Sequence, residues 1–387
     1  MTNEKTLDIV VYGATGFTGR LVCEYLNAKY GCGGTYAWAM AGRSLSKLEQ
    51  VRAELGLDES VPLIVADSTD DTALRTMVAS AKVVLTTVGP YALYGAPLVK
   101  ACAELGTDYV DLCGEPLFMK DMIDAHSATA QHSGARIVFS CGFDSIPFEM
   151  GVFFVQEAAR EKFGHALPRV KGRVRSMQGS ASGGTVASFT ATMDTVKEQP
   201  ERIGELMNPF VLAEGFTGPE QPAGDANIYE EDLHNWSGPF VMATINTKNI
   251  HRSNKLLGHR YGEDFVYDEM MLLGSDDPAA EPGGAEAMSF DMTLQPGDGP
   301  SQEEREAGFY NVAFIAQGGD GESLTATVTG DMDPGYGSTS KIIAEAAICL
   351  IEQPGQPSGV LTTAPAMGMP LIQRLTDNAG LTFTLDD

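Results

Sequence analysis

The amino-terminal stretch constrains the fold of this chain more than any other part of the sequence. The run 7–12 is mostly apolar and β-branched, as in a buried parallel strand, and a helical pattern follows from residue 17. Three glycines at GxxGxxG spacing join the two. Because glycine allows a tight turn and brings backbone N–H groups close to phosphate, this unit is typical of a dinucleotide site. The residues that we expect to meet the cofactor here are Gly13, Thr15, Gly16, Phe17, Thr18 and Gly19.

The end of the second predicted strand indicates which nicotinamide cofactor is held. A site selective for NAD usually carries Asp or Glu about twenty residues after the glycines, where it bonds the ribose 2′-hydroxyl. This chain has Arg43 and Ser44 there, with Lys47 one helical turn later. A guanidinium can hold a 2′-phosphate through two charge-assisted hydrogen bonds. We therefore predict NADP(H), against the alternative that these are solvated residues at a helix start.

The charge balance excludes several classes of partner. The chain of 387 residues carries 26 Lys and Arg against 52 Asp and Glu, a formal net charge of -26. Such a surface repels nucleic acid and anionic lipid, so we expect neither as a partner. The sequence shows no membrane-spanning run and no signal peptide, which predicts a cytoplasmic protein. The six cysteines form no CxxC pair, so we expect reduced thiols and no metal site.

Strand-like and helix-like segments alternate through residue 145. Helical stretches with apolar residues at three-to-four spacing separate six short apolar runs. This alternation predicts an α/β fold with a Rossmann-like, doubly wound parallel sheet, in which ligands collect at the carboxyl ends of the strands. The predicted strands are 7–12, 36–41, 62–66, 83–88, 109–112 and 136–140.

Beyond about residue 165 the pattern changes to period-two alternation, which predicts a second α+β domain with a mostly antiparallel sheet. A long helix is expected over 185–206, a loop or lid over 216–238 and another loop over 276–284. The expected domains are 1–160 for the cofactor, 161–335 for the substrate, and 336–387 for carboxyl-terminal helices that return to the first domain. The alternating strands are predicted at 169–175, 289–294, 310–316 and 324–328.

The loops after the predicted strands carry the candidate site residues. Val88, Gly89 and Pro90 end strand four and are expected near the nicotinamide ribose, while the Tyr91 phenol could donate a proton or simply pack. Asp67 ends strand three and could accept from the adenine amino group, or cap the next helix. Further candidates are Cys141 and Gly142 for the cofactor. Asp144 could serve catalysis and Ser145 substrate, or both could cap the next helix. Gly184 and Thr185 at a glycine-rich helix start could hold substrate or form only a flexible cap.

These motifs together resemble the saccharopine dehydrogenase-like oxidoreductase family, and within it the branch of mycobacterial trans-acting enoyl reductases. The likeness runs nearly end to end. It implies an NADP-binding Rossmann domain, a substrate domain and reduction of a C=C or C=N bond. Among the matched positions we assign Arg252 to substrate and Tyr261 to catalysis. The motifs that carry the likeness are 10–20, 41–43, 88–91, 142–147, 183–185, 252–254, 261–262 and 333–337.

Three functions stay open at this point. An enoyl reductase needs a donor to a developing enolate, for which Tyr91, Tyr261 and backbone N–H groups near Thr185 are candidates, and an apolar channel. A saccharopine-type enzyme needs arginines that converge on carboxylates. A protein that binds NADP(H) without turnover is the third. We favour the first, with a small acyl or lipid-like substrate and a homodimer as the candidate assembly. The arginines available to the second are Arg169, Arg173, Arg175, Arg252 and Arg260.

Overall fold

Two seven-stranded sheets form the framework of the molecule. The computed structural model describes residues 5–179, 183–279, 282, 299–355 and 357–386. Within them, no helix is long and apolar enough to cross a membrane. The same residues contain no group of three or more His, Cys, Asp and Glu side chains that could hold a metal ion.

The first sheet is entirely parallel and has the strand order β13-β6-β5-β4-β1-β2-β3. Strand β1 lies between β2 and β4, so the chain order reverses beside β1. In open α/β sheets ligands bind at such a reversal, outside the carboxyl ends of the strands. The strands of this sheet are Leu7–Tyr12 (β1), Trp38–Gly42 (β2), Leu63–Val65 (β3), Ala81–Thr86 (β4), Asp108–Val110 (β5), Arg136–Val138 (β6) and Gly359–Leu361 (β13).

The second sheet has the order β14-β12-β11-β7-β10-β9-β8 and is antiparallel except for the pair β7 and β10. The predicted α/β fold class, with a second and mostly antiparallel sheet, is confirmed. The strands are Arg169–Gln178 (β7), Ile228–Glu230 (β8), Asn235–Pro239 (β9), Val266–Leu272 (β10), Phe309–Gln317 (β11), Ser323–Gly330 (β12) and Leu381–Leu385 (β14).

Helices cover both faces of the first sheet and one face of the second. Short 3-10 turns lie at Pro200–Arg202 and Gly319–Gly321, and a π-helical turn at Pro334–Ser338. The α-helices are Phe17–Tyr30 (α1), Leu45–Glu54 (α2), Asp71–Ser80 (α3), Tyr91–Tyr94 (α4), Ala96–Leu105 (α5), Pro116–Ser133 (α6), Ile146–Phe163 (α7), Gly183–Glu198 (α8), Ile203–Met207 (α9), Ala243–Leu256 (α10), Gln302–Ala307 (α11), Thr339–Glu352 (α12) and Thr363–Asn378 (α13).

Helix α7 joins the two sheets. It begins just after the β6 loop and packs on β7, β11, β12 and β14 of the second sheet. Gly151 allows this close packing, because a Cβ there would lie 2.2 Å from Cε2 of Phe314 on β11. The loop that follows β6 is therefore anchored at its carboxyl end by the core of the second sheet.

Three predictions for the middle of the chain need correction or lie outside the described residues. The segment predicted as a loop over 216–238 contains β8 and most of β9, whose pairing with β10 extends the sheet. The helix predicted over 185–206 ends at Glu198, and a 3-10 turn precedes the short helix α9. The strand predicted at 289–294 lies outside the described residues.

The carboxyl-terminal segment contributes to both sheets. Strand β13 pairs with β6 of the first sheet, and β14 pairs with β12 of the second. Helix α12, which precedes β13, packs on α1, β1, β4 and β5. We keep the boundaries at residues 160 and 335 as a proposal for how the chain divides into domains.

Candidate nucleotide crevice and active site

Two glycines of the first turn are required by close contacts. Gly13 has φ +95°, and a Cβ on it would lie 2.8 Å from Thr87 Oγ1, at the end of β4. A Cβ on Gly19 would lie 2.2 Å from the carbonyl oxygen of Gly13. The turn is therefore in close contact with the end of β4 on one side and with helix α1 on the other. We call the space above this junction, bounded by loops 13–19, 87–91, 111–115 and 140–145, the crevice.

The start of α1 offers backbone donors to this crevice. Gly16 is its N-cap and supplies no side-chain hydrogen bond. In the described chain the N–H groups of Thr15, Phe17, Thr18 and Gly19 have no hydrogen-bond acceptor. Free N–H groups at a helix amino terminus, together with the positive end of its dipole, fit a bound pyrophosphate.

Arg43, Ser44 and Lys47 lie at the end of β2 and the start of α2. The Ser44 hydroxyl caps α2 by accepting the Lys47 N–H at 3.4 Å. The Arg43 and Lys47 side chains are exposed and, within the described part of the chain, form no ion pair. Two exposed cations without an ion pair beside a helix amino terminus, in a protein with twice as many acids as bases, fit a phosphate ligand.

Asp67, after β3, has its carboxylate engaged by its own loop. The hydroxyl and the backbone N–H of Thr69 both donate to Asp67 Oδ1, at 2.6 and 2.9 Å. These bonds lower the pKa of Asp67, and the nearby Arg43 charge lowers it further. The carboxylate thus orders the turn next to Arg43.

Val88, Gly89 and Pro90 form the β4 loop between the glycine turn and α8. Val88 donates its N–H to Thr86 Oγ1 at 3.2 Å, and its side chain lies against Gly13. On the other side, a Cβ on Gly89 would lie 3.6 Å from the Ser188 hydroxyl of α8. Helix α8 also packs on α4, so its first turn, which contains Gly184 and Thr185, begins beside this loop.

The Tyr91 hydroxyl is occupied by backbone groups. It accepts the Leu112 N–H at 3.0 Å and donates to the Thr86 carbonyl at 3.4 Å. Its side chain is buried, and burial raises its pKa well above the ordinary value. Tyr91 thus ties the β4 loop to the β5 loop, and its only proton points at a carbonyl.

Glu115 makes a second link between these two loops, one that the sequence analysis missed. Its carboxylate oxygens accept the N–H groups of Tyr91 at 2.9 Å and Ala92 at 2.7 Å, although the residue is almost fully buried. The side chain therefore caps α4 from the start of α6. The sequence signal that could have identified Glu115 is an acid directly before Pro116, in the loop that follows β5.

The β6 loop presents one carboxyl group without a partner. Asp144 forms no hydrogen bond with the described residues, and it keeps some exposed surface. Burial raises its pKa to about 6. Ser145 beside it is buried, and its hydroxyl accepts Asn249 Nδ2 at 3.4 Å. Among the described acids of the crevice loops, Asp144 therefore combines a raised pKa with a partly exposed carboxyl group that is not hydrogen-bonded.

Cys141 and Gly142 shape the same loop through backbone contacts. The Cys141 N–H donates to the Asp111 carbonyl at 2.6 Å, and its thiol is fully buried. A Cβ on Gly142 would lie 2.8 Å from a methyl group of Leu112. The β5 and β6 loops thus touch at Gly142.

Segments near the carboxyl terminus close one side of the crevice. The ring of Tyr336 packs edge-on against Phe17, with centroids 5.1 Å apart, and the Arg305 guanidinium lies 5.8 Å from the Phe17 ring. Thr339, in the first turn of α12, accepts the Phe143 N–H at 3.0 Å. Phe17 is therefore held between the glycine turn and the second sheet.

Tyr261 and Arg252 have surroundings of a different kind. The Tyr261 ring is buried against Phe265, and its hydroxyl has no partner within the described structure. Arg252 donates to the carbonyls of Leu212 and Val360, and burial lowers its pKa to about 10. Arg252 and Tyr261 therefore contact the core around α10 and β13, and not the crevice loops.

The remaining arginines considered for substrate are each paired with acids of this chain. Arg173 bonds Glu230 at 2.6 and 3.0 Å and Asp268 at 2.8 Å. Three further ion pairs complete the set, Arg169 with Asp268, Arg175 with Asp386, and Arg260 with Glu157. Arg173 and Arg175 line one cavity on the second sheet, together with Asp232 and Asp386, but each is already paired with an acid.

Comparison with known proteins agrees with this geometry. Residues 9–138 match the family model of the saccharopine dehydrogenase NADP binding domain. A trans-acting enoyl reductase of Mycobacterium ulcerans (strain Agy99) is 37% identical over 410 residues, and one of Mycobacterium tuberculosis (strain ATCC 25618 / H37Rv) is 37% identical over 409, each alignment covering 96% of both chains.

Two solved structures share the fold at low sequence identity. Apo saccharopine dehydrogenase (L-Glu forming) from Saccharomyces cerevisiae has a TM-score of 0.53 at 13% identity, covering 98% of this chain and all of that one. Homospermidine synthase from Legionella pneumophila, in complex with NAD, has a TM-score of 0.52 at 10% identity, with 98% and 91% covered.

Proposed function

This chain belongs to the saccharopine dehydrogenase-like family of NADP-binding oxidoreductases, and we propose that it reduces the carbon–carbon double bond of an enoyl thioester. The relatives named trans-acting enoyl reductase match nearly its whole length. Because these relatives are named enoyl reductases, we propose the same class of reaction for this chain.

One structural observation favours this reaction over the reduction of an amino-acid imine: the candidate arginines are already bound to other groups of the protein. A substrate with several carboxylates needs unpaired guanidinium groups. Arg169, Arg173, Arg175 and Arg260 are each paired with an acid, and Arg252 bonds two backbone carbonyls. Releasing Arg169, Arg173 or Arg252 would leave a buried acid or carbonyl unpaired, whereas Arg175 and Arg260 lie in more exposed pairs.

Apolar side chains at the mouth of the crevice support an acyl substrate. Leu93 and Tyr94 on α4 are exposed, as is Met193 on the neighbouring helix α8. Leu93 and Tyr94 directly follow the β4 loop, and α8, which carries Met193, meets this loop where Ser188 faces Gly89. Exposed apolar groups beside a cofactor site are typical of a surface that binds an apolar ligand.

The residues that would hold NADP(H) are the glycine turn for the pyrophosphate, and Arg43, Ser44 and Lys47 for the 2′-phosphate. When bound, NADPH supplies the hydride that adds to the β-carbon of the enoyl group. We assign the cofactor-facing loops of β4 and β6 to the nicotinamide end, through Val88, Gly89, Pro90, Cys141 and Gly142. Ser145 and the first turn of α8 are assigned to the substrate.

Asp144 supplies the proton in this proposal. As charge develops on the thioester oxygen, the neutral Asp144 carboxyl donates its proton to the α-carbon and becomes a carboxylate. The two additions saturate the double bond, and solvent reprotonates Asp144. Its pKa of about 6 leaves a reactive fraction of the acid form at neutral pH. Tyr91 then acts as a positioning residue, since its proton is already bound to a carbonyl.

The test follows loss of the nicotinamide absorbance when the NADPH-loaded protein meets enoyl thioesters of increasing acyl length. We expect turnover that improves with chain length, and a loss of about a hundredfold or more in Asp144→Asn. Asp58→Asn, an exposed acid before β3, is the matched control and should match the wild type. Turnover of an aminoadipate-type imine instead would favour the saccharopine reaction, and consumption of neither substrate would favour a non-catalytic NADP(H)-binding protein.

A further inference from the structure

Ser140 has a strained backbone at the carboxyl end of β6. It is a non-glycine residue with φ +60°, in the left-handed region that side chains with a Cβ rarely adopt. It lies between β6 and the Gly142–Ser145 stretch and is 4% exposed. Such strain persists only where the surroundings enforce it, and it often accompanies functional sites.

Hydrogen bonds from the β5 loop enforce this conformation. The Ser140 N–H donates to Asp111 Oδ1 at 2.9 Å, and its hydroxyl donates to the Cys113 carbonyl at 2.6 Å. The next residue, Cys141, donates its N–H to the Asp111 carbonyl at 2.6 Å. Three bonds thus fix the chain direction as it leaves β6.

The Asp111 carboxylate accepts hydrogen bonds from both the β5 and the β6 loops. Its Oδ1 also accepts the Cys113 N–H at 2.9 Å, and its Oδ2 accepts the Tyr109 hydroxyl at 2.7 Å. The residue is fully buried, and it forms no ion pair with the described residues. Burial raises its pKa to about 7. A buried acid without a cation is costly, so it is retained for the donors it binds.

We propose that Asp111 is a positioning residue, which holds Ser140 in the left-handed conformation and thereby directs Gly142 and Asp144 toward the crevice. The inference rests on the proposed function, because it takes Asp144 as the acid of that site. The close contact between Leu112 and Gly142 likewise restricts the position of the β6 loop at Gly142. Asp111 touches neither substrate nor cofactor in this role.

Substitution of Ser140 by glycine or alanine distinguishes a role of the backbone conformation from a role of the hydroxyl group. In Ser140→Gly the left-handed conformation is no longer strained, so the loop keeps its direction with fewer restraints. Ser140→Ala loses the same hydroxyl but keeps the strain. We therefore expect Ser140→Gly to stay within about threefold of wild-type turnover and Ser140→Ala to fall about tenfold or more.

The double variant tests the link to Asp111. Asp111→Ala leaves the N–H groups of Ser140 and Cys113 without an acceptor, and we expect turnover to fall about tenfold or more. Asp111→Ala with Ser140→Gly should recover most of that loss. Asp111→Asn, which keeps an acceptor oxygen, should stay close to wild type. A double variant no better than Asp111→Ala would overturn the proposal, as would equal turnover of the two Ser140 variants.

Binding measurements keep this test independent of the reaction. Affinity for 2′,5′-ADP reports the Arg43 end, and affinity for NADPH reports both ends of the site. We expect the ratio of NADPH to 2′,5′-ADP affinity to fall in Ser140→Ala and to return in Ser140→Gly. If the wild type reduces no enoyl thioester, the proposed function fails, but this ratio still decides the inference: an unchanged ratio overturns it. Should Asp111→Ala not fold, the Ser140 pair decides alone.

Discussion

Gly19 lies so close to Gly13 that the carbonyl oxygen of Gly13 occupies the space where a Cβ of residue 19 would stand, 2.2 Å away. A methyl group there must push α1 away from the end of β1, because the contact is with rigid backbone. The geometry of the turn, and the free N–H groups at the start of α1, depend on this contact.

Gly19→Ala is therefore expected to abolish measurable NADPH binding and to lower the thermal unfolding midpoint. Overpacking of this kind costs about 1–3 kcal/mol. Gly204→Ala in α9, where a Cβ would meet nothing within 4 Å, is the control and should bind NADPH normally. Fluorescence titration with NADPH and thermal unfolding measure the two effects. Normal binding by Gly19→Ala would show that the turn does not hold the cofactor.

Removal of the Arg43 guanidinium should change cofactor preference. Its expected two bonds to a 2′-phosphate are charge-assisted, and at this exposed position they contribute about 1.5–3 kcal/mol together. We expect Arg43→Ala to weaken NADPH binding about tenfold to a hundredfold and to leave NADH binding nearly unchanged. Lys47→Ala should act in the same direction, and Lys29→Ala, exposed at the far end of α1, should have no effect. Equal losses for NADPH and NADH would place the 2′-phosphate elsewhere.

Tyr91→Phe distinguishes a positioning role from proton donation. Because the hydroxyl bonds only the backbone of Leu112 and Thr86, its loss leaves the Leu112 N–H unpaired and loosens the β4 and β5 loops. We expect turnover to fall by less than about tenfold, with a lower unfolding midpoint. The solvent deuterium isotope effect should not change. A loss as large as that of Asp144→Asn would instead make Tyr91 the donor.

The pH profile should follow Asp144. Burial raises its pKa to about 6, so the acid form predominates below that pH and declines above it. Turnover at saturating substrate is expected to fall as pH rises through about 6, by about tenfold per unit once the carboxylate predominates. The turnover of Asp144→Asn should show no such decline as the pH rises. A wild-type profile flat from pH 5 to 8, about one unit below and two above this pKa, would remove Asp144 as the donor.

The Arg173–Glu230 pair predicts an acid-sensitive stability. Burial by itself would raise the pKa of Glu230, but the hydrogen bonds and charge of Arg173 outweigh it and lower the pKa to about 2. The ionised form is thus favoured in the folded state. This contribution is complete above the ordinary pKa of 4.5 and is lost as the pH falls toward 2.

Glu230→Gln should therefore destabilise the protein at neutral pH by about 3 kcal/mol, since it leaves a buried guanidinium short of one partner. The difference from wild type should shrink below pH 4.5, the ordinary pKa of glutamate. Denaturant unfolding across this range measures it, with Glu54→Gln, in the exposed pair with Arg20, as the control. A difference independent of pH would assign the effect to packing.

Several parts of the site could be predicted because their residues are close in sequence. The glycine turn, Arg43 and the β4 loop follow from short-range rules for turns, helix starts and the carboxyl ends of parallel strands. The strand alternation up to residue 145 likewise predicted six of the seven strands of the first sheet, but not β13. For the second sheet, the alternation predicted β7, β11 and β12, but not β8, β9, β10 and β14 or the parallel pairing of β7 with β10.

Long-range pairs could not be predicted in this way. Arg173 and Glu230 are 57 residues apart, and Arg169 and Asp268 are 99 apart, so the sequence offered free arginines where the structure has ion pairs. The left-handed backbone of Ser140 is another example, because it depends on Asp111 in a neighbouring strand rather than on the residues beside it.

The sequence alone determined that this chain begins with a nucleotide-binding βα unit and that its charged residue after β2 is an arginine, because these properties depend on steric and hydrogen-bonding rules within a few residues. Only the tertiary structure decided which polar groups stay unpaired. Burial favours a partner for a polar group wherever the fold brings one near, and in the described structure the Asp144 carboxyl has none, while Tyr91 and the five arginines considered for substrate are already bound.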